Sequence, residues 1–97
     1  MTIRTMEIFQ AVAHHMNMSR AAEELHIAQP TISQAIQEIE SEYHVLLFNR
    51  IGKRLYMTAE GLRLLDYTKQ ILNLTNAMNQ EMNGLTLSPR FFVGATI

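Results

Sequence analysis

The sequence predicts a mainly α-helical fold in which three short helices and a small β-hairpin precede one long helix. Apolar residues recur at helical spacing in separate segments, and each segment ends at a residue that commonly caps or breaks a helix. Between the third and fourth helices, two short β-prone runs flank a glycine, which is typical of a hairpin. This order predicts a winged helix–turn–helix domain at residues 1–58 and a dimerising linker helix at residues 59–84.

The composition limits the kind of protein. With 97 residues and an apolar fraction of 47%, the chain has the size of one small globular domain with an arm. It has no cysteine, which excludes disulfides and thiolate zinc sites and agrees with a reducing cytosol. No apolar run approaches the roughly 18–20 residues that span a bilayer, and the N-terminus does not resemble a signal peptide. We therefore expect a soluble, cytoplasmic protein without a membrane partner.

The first two helices are predicted from apolar spacing and from a break between them. Residues 3–16 place Ile3, Met6, Phe9, either Val12 or Ala13, and Met16 on one face. The run Asn17-Met18-Ser19 then interrupts the pattern. Ser19 is a good N-cap, so we expect a second helix over residues 20–25.

The third helix has two well-separated faces. The turn His26-Ile27-Ala28 precedes it, and Pro30 suits its first turn, so the helix is predicted at residues 29–43 and the helix–turn–helix at about 18–37. The apolar face follows spacings of 4, 3 and 4 through Ile32, Ile36, Ile39 and Tyr43. The opposite, polar face consists of Gln29, Pro30, Ser33, Gln34 and Gln37. A helix of this kind, held by a tight turn, can enter a DNA major groove.

The hairpin is predicted at about residues 47–57 and is basic. It contains Arg50, Lys53 and Arg54, whereas the net charge of the whole chain is −1. A short basic run is often only solvated surface, but its position after the third helix favours contacts with phosphate. The low net charge argues against strong sequence-independent DNA binding by a monomer.

The long helix is predicted to start after Thr58, a plausible N-cap, and to end near Met82 at Asn83-Gly84, a length of roughly 37 Å. Its apolar positions repeat every 3.5 residues, and a domain of this size cannot cover them all. We therefore expect a homodimer formed through this helix. The predicted dimerisation residues are Leu64, Leu65, Thr68, Ile71, Leu72, Thr75, Met78 and Met82.

Residues 85–97 are predicted to be a hinge and the first strand of a second domain that is cut short. The strand-like run Phe91-Phe92-Val93 has no hairpin mate in the sequence, and isolated strands are not stable.

Other sites are not supported by the sequence. The four histidines include an adjacent pair, His14 and His15, which point to different sides of a helix, and surface or capping roles are expected rather than a metal site. The serines have no base and acid arranged around them, so no enzyme is predicted.

One rival function remains, a protein-interaction module in which the winged fold is a scaffold without DNA affinity. Binding of random duplex DNA at two salt concentrations separates the two functions.

Taken together, the motifs resemble the N-terminal DNA-binding region of LysR-type transcriptional regulators. The resemblance covers roughly residues 1–84. It is carried by Phe9, Ser19 to Leu25, Ala28 to Ser33, Ile36, Ile39-Glu40, Leu47 to Arg50 and Leu55 to Gly61. Where the family often has basic residues in the third helix, this chain has Gln34, Gln37 and Glu38. The Gly and Pro common after that helix are His44 and Leu46 here.

The resemblance implies a regulator that binds double-stranded DNA as a dimer at a pseudo-palindromic site, with recognition helix 29–43 in the major groove. Glutamine pairs well with adenine, and the wing is expected to meet the backbone or the minor groove. The expected DNA-binding residues are Ser19, Gln29, Pro30, Thr31, Ser33, Gln34, Gln37, Arg50, Lys53 and Arg54. No cofactor is expected in this segment; a small-molecule effector and tetramer formation belong to the missing C-terminal domain.

Overall fold

The computed structural model describes the backbone of residues 1–87 and the side chains of residues 1–84. In chain order the elements are α1 (Ile3–His15), α2 (Met18–Leu25), α3 (Gln29–Tyr43), β1 (Phe48–Ile51), β2 (Arg54–Met57) and α4 (Ala59–Leu87). This order confirms the predicted mainly α-helical winged helix–turn–helix with a long final helix. The strand predicted after residue 88 lies outside the described residues.

Helix α1 begins at a reciprocal pair of threonines. The Thr5 amide donates to the Thr2 hydroxyl (3.1 Å), and the Thr2 amide donates to the Thr5 hydroxyl (2.8 Å). These bonds satisfy N–H groups that a helix leaves without partners in its first turn. The helix ends at Met16, whose left-handed backbone (φ 51°) turns the chain towards α2.

Helix α2 is capped by Asn17 rather than by Ser19, which corrects the sequence prediction. The Asn17 side-chain oxygen accepts a hydrogen bond from the Arg20 amide (2.9 Å), and Asn17 has the extended backbone that an N-cap needs. Because α1 ends at Met16, the first residue free to take this conformation is Asn17. Ser19 is therefore an exposed residue in the first turn of α2.

The first three helices and the start of the hairpin surround one core. Its fully buried large side chains include Phe9, Val12, Ile32, Ile39 and Leu47, and the Phe9 ring packs against that of Phe48 with a centroid distance of 5.7 Å. Tyr43 ends the apolar face predicted for α3, but it is 48% exposed and lies outside this core. The last core residue of α3 is Ile39, so the final turn of the helix lies past the packed interior.

The hairpin pairs β1 and β2 in antiparallel register, from Phe48 opposite Met57 to Ile51 opposite Arg54. Gly52 in the turn has φ +62°, a conformation that glycine adopts without steric cost. After the hairpin, the Thr58 hydroxyl accepts a hydrogen bond from the Gly61 amide (2.9 Å), which confirms Thr58 as the N-cap of α4.

Helix α4 is longer than predicted. It continues through Gly84 to Leu87, so it has 29 residues and a length of about 44 Å. A glycine inside a helix costs only about 1 kcal/mol relative to alanine, which is why Gly84 does not end this one. The predicted hinge therefore cannot begin at residue 85. None of the helices within residues 1–87 combines the length and the apolar character needed to cross a membrane.

Candidate nucleic-acid interface

The polar face of α3 is exposed along its length. Gln29, Pro30, Thr31, Gln34 and Gln37 are all solvent-accessible, and Ser33 is half-buried among them. The buried residues of the same helix lie on the opposite side and hold it against the core. We call these six residues, which are the five of the predicted polar face together with Thr31, the reading face, because a ligand could contact them without disturbing the fold.

One pair within the reading face is held in place. The Gln29 side-chain amide donates to the Ser33 hydroxyl (3.2 Å), and that hydroxyl donates to the Met18 sulfur of α2 (3.5 Å). Ser33 therefore connects Gln29 to the helix behind it. The Gln29 carbonyl and its second N–H stay available for a partner, which are the two groups that adenine requires.

The wing presents three cations, and they do not share one face. Arg50, Lys53 and Arg54 are exposed, and none forms an ion pair with another residue between 1 and 84. In this register Arg50 is opposite Leu55, whereas Arg54 is opposite Ile51. Since neighbouring residues of a strand point to opposite faces, the two arginines project from opposite faces of the hairpin.

The reading face and the wing are contiguous. A shallow groove of about 230 Å³ lies between α3 and the hairpin, and its walls include Ser33 and Gln37 from the helix and Arg50 from β1. A ligand that touches Gln37 is thus within reach of Arg50. The structure places these two predicted site residues side by side, whereas Ser19 is on α2 outside this groove.

The outer face of the wing contains two residues that the sequence prediction missed. Asn49 and Tyr56 are opposite each other in the hairpin and exposed, on the same face as Arg54. The alternation of strand residues could have indicated them, because it groups positions 49, 51, 54 and 56 once the register is known.

Negative charge remains at the C-terminal end of α3. Glu38 and Glu42 are exposed. The N-terminal ammonium of Met1 donates a hydrogen bond to the Glu42 carboxylate and holds the pKa of that carboxyl below its ordinary value. Desolvation, with the nearby Glu42 charge adding to it, raises the pKa of Tyr43. At neutral pH Glu42 is therefore charged and Tyr43 neutral, so this end of α3 repels anions.

The predicted dimerisation residues of α4 divide into two groups. Thr68 is fully buried and Leu72 is 8% exposed, on the face of α4 that packs against α1. Leu64, Leu65 and Thr75 are half-buried. The exposed apolar positions form a neighbouring stripe, the α4 stripe, which includes two residues that were not predicted; it consists of Tyr67, Ile71, Leu74, Met78 and Met82.

The histidines either contact neighbouring side chains or end a helix. The rings of His14 and His15 meet edge to face with centroids 4.9 Å apart, and His15 Nε2 is 2.6 Å from a Glu24 carboxylate oxygen on α2. His26 and His44 are the left-handed residues that end α2 and α3. Across residues 1–87, no three His, Asp or Glu side chains are grouped so that they could hold a metal ion.

Comparison with known proteins identifies the family. A family model described as bacterial regulatory helix-turn-helix protein, lysR family, matches residues 3–62. The chain is similar to the RuBisCO operon transcriptional regulator of Allochromatium vinosum, with 34% identity over 84 residues that cover 87% of this chain and 28% of that protein. The curated relatives it matches are thus more than three times as long.

Two solved structures share the fold over most of the chain. The BenM DNA-binding domain in complex with catB site 1 DNA has a TM-score of 0.87 and 28% identity, and the match covers 91% of this chain and 99% of that one. The CbnR DNA-binding domain in complex with DNA has a TM-score of 0.81 and 32% identity, over 87% of this chain and 97% of that one. The family model covers α1 through the wing and the first turn of α4, so this chain belongs to the lysR family of bacterial regulatory helix-turn-helix proteins.

Proposed function

We propose that this chain is the DNA-binding part of a LysR-type transcriptional regulator and that α3 reads base pairs in the major groove. The observation that supports this most directly is the continuity of an exposed, uncharged reading face with a wing whose three cations form no ion pair with residues 1–84. A scaffold without DNA affinity has no need of either. The similar BenM and CbnR domains were crystallised with DNA.

In this proposal the reading face supplies base selection. Its carboxamides, on Gln29, Gln34 and Gln37, each offer a donor and an acceptor, the pair that adenine N7 and N6 require. Ser33 orients Gln29, and Pro30 and Thr31 offer small surfaces near the start of the helix, where base edges are usually met. Readout should therefore favour A·T pairs at a few positions.

The wing supplies the backbone contacts. Arg50 lies next to the reading face, whereas Lys53 and Arg54 lie at the turn and on the outer face of the hairpin. Cations on both faces can reach phosphates on both sides of a groove. This division gives most of the salt-dependent affinity to the wing and most of the sequence preference to α3.

A second copy of the chain covers the α4 stripe. Leu74 is 73% exposed, Tyr67 62% and Met78 54%, on a helix about 44 Å long. An apolar stripe of this length is rarely left in water, and pairing with an identical stripe covers both at once. Thr68 and Leu72 then hold α4 to its own chain, and the stripe forms the dimer.

Two such copies present two reading faces, which suits a pseudo-palindromic site with half-sites about one helical turn of DNA, or a multiple, apart. As the family resemblance implies, we propose that the C-terminal part of the full regulator binds a small-molecule effector and can form tetramers. From the proposed action on DNA we infer a cytoplasmic location.

The test of DNA binding starts with selection from a random duplex pool, followed by fluorescence anisotropy on the selected site. Substituting Gln29 and Gln34 by alanine should reduce discrimination against mismatched sites by about 10-fold or more, at 1–3 kcal/mol for each lost base contact. The control is Gln80→Ala, an exposed glutamine of α4. If the unaltered chain selects no sequence and shows no salt-sensitive binding, the proposal is wrong and the scaffold function stands.

The test of the dimer uses two leucines of α4 that are both exposed. Leu74→Glu places a charge in the α4 stripe, whereas Leu62→Glu places the same charge on the opposite side of the helix, at a residue 57% exposed. Sedimentation equilibrium should show monomers for the first variant and dimers for the second. Equal dimerisation of both variants contradicts pairing through the stripe.

A further inference from the structure

Glu40 connects the recognition helix to the wing. Its carboxylate oxygen Oε2 accepts a hydrogen bond from the Leu47 amide at 2.7 Å, in a partly buried position. Its backbone carbonyl accepts from the amides of His44 and Val45. One residue of α3 thus receives three hydrogen bonds from residues 44–47, the segment that leads into β1.

The same segment is also held by Thr58, the N-cap of α4, and by the first turn of that helix. The Leu47 carbonyl accepts from the Thr58 amide (3.0 Å), and the Leu46 carbonyl accepts from the Thr58 hydroxyl. A Cβ atom on Gly61 would collide with the Leu47 carbonyl oxygen, so the first turn of α4 lies directly against this peptide. The Leu47 side chain is fully buried. The start of the wing is therefore fixed between the recognition helix and α4.

The position of the carboxylate is not explained by helix stability or by DNA affinity. A negative charge in the last turns of a helix is disfavoured by the helix dipole, and a carboxylate beside a phosphate-binding groove repels the ligand. Glu40 lies in both places, and it lines the groove that contains Arg50. At this position the Glu40 carboxylate accepts a short, charge-assisted hydrogen bond from the amide of the buried Leu47.

We propose that Glu40 is a positioning residue for DNA binding, which sets the wing at the distance from α3 that lets its cations reach phosphates. The proposal rests on the proposed function, because it assumes that the wing contacts the backbone. Loss of the Leu47 hydrogen bond leaves the reading face intact and displaces the wing. The loss should appear as fewer phosphate contacts with unchanged base preference.

The test compares Glu40→Ala and Glu40→Gln with Glu38→Ala. Glutamine keeps an oxygen acceptor for the Leu47 amide, and Glu38 is an exposed carboxylate on the same helix with no hydrogen bond to other described residues. The probes are a duplex bearing the selected site and a random duplex. Anisotropy is measured from about 50 to 200 mM salt, where each lost phosphate contact lowers the log–log slope by about one.

We expect Glu40→Ala to reduce the slope by about one to two units and to leave the ratio of specific to random binding within about twofold. Glu40→Gln should retain the slope of the unaltered chain, and Glu38→Ala should bind at least as tightly as that chain. A wild-type slope in Glu40→Ala, or a Glu40→Gln that loses as much as Glu40→Ala, overturns the proposal. Absence of salt-dependent binding in the unaltered chain instead refutes the proposed function.

Amide hydrogen exchange distinguishes a local effect of Glu40 on the wing from a general loss of stability. Amide hydrogen exchange should show faster exchange in β1 and β2 of Glu40→Ala, with the core of α1 and α3 unchanged. If Glu40→Ala does not fold, Glu40→Gln provides the comparison, since loss of slope there with a folded core also overturns the role of the hydrogen bond.

Discussion

Replacement of His44 by glycine should stabilise the protein. His44 ends α3 with φ 56° and ψ 42°, in the left-handed region, and its side chain is exposed with no hydrogen bond to the described residues. Its amide still donates to the Glu40 carbonyl, a bond that glycine makes equally well. Since no hydrogen bond to the described residues holds the histidine side chain, the substitution changes mainly the conformational energy of one residue.

The size of the gain follows from two opposing terms. An L-residue in the left-handed region costs roughly 1–2 kcal/mol, which glycine avoids. Glycine also makes the unfolded chain more flexible, at a cost of roughly 0.5–1 kcal/mol. The expected net gain is about 0.5–1 kcal/mol, or a rise in Tm of roughly 2–8 °C for a domain of this size.

The assay is thermal unfolding by circular dichroism at one fixed protein concentration, because dimer formation makes Tm depend on concentration. Ser41→Gly is the matched control, since Ser41 is exposed in the same helix with ordinary helical backbone. It should lose about 0.5 kcal/mol. If His44→Gly is no more stable than the unaltered chain while Ser41→Gly behaves as expected, backbone strain at position 44 is not a cost to this fold.

Two further predictions concern stability and use urea unfolding. Gly61→Ala should lose about 1–3 kcal/mol because its Cβ meets the Leu47 carbonyl, whereas Gly84→Ala, with nothing within 4 Å, should gain up to about 1 kcal/mol; equal effects would contradict the close approach. Asn17→Ala should cost about 1 kcal/mol as a lost N-cap, whereas Ser19→Ala should change stability by less than about 0.5 kcal/mol. The reverse order would restore Ser19 as the cap.

The elements predicted best are those that the sequence specifies locally. The recognition helix has a proline in its first turn and apolar residues at 4, 3 and 4 spacing, and it occupies Gln29–Tyr43 as predicted. The wing has a glycine between two β-prone runs, and its turn lies at Gly52. In each case a few neighbouring residues determine the conformation, so no knowledge of the tertiary structure is needed.

Other features depend on where a neighbouring helix ends or packs, which the local pattern does not specify. Asn17 and Ser19 are both good N-caps, and the end of α1 decides between them. Thr68 and Leu72 fit a 3.5-residue stripe as well as Met78 does, but α1 covers them. A periodic pattern reports that a face is apolar, and it does not report whether that face meets its own chain or another copy.

The sequence predicts which kinds of residue form the site better than it predicts how they are arranged in space. The sequence identifies the exposed glutamines and the basic hairpin, and the structure adds that Arg50 lies beside Gln37. The hydrogen bond from the Leu47 amide to Glu40 could not be predicted, because it depends on the path of the segment between α3 and β1. Charge patterning alone describes Glu40 as one more acid of a solvated helix.

The burial of Thr68 and Leu72 gives α4 a mechanical role. Because that face packs against α1, the three-helix body that presents α3 turns together with α4. In a dimer paired through the α4 stripe, a rotation of about 10° moves a point about 20 Å from the axis by about 3.5 Å, close to one base-pair rise. In the proposed dimer, a rotation of α4 therefore changes the separation of the two reading faces and leaves the residues of each reading face unchanged.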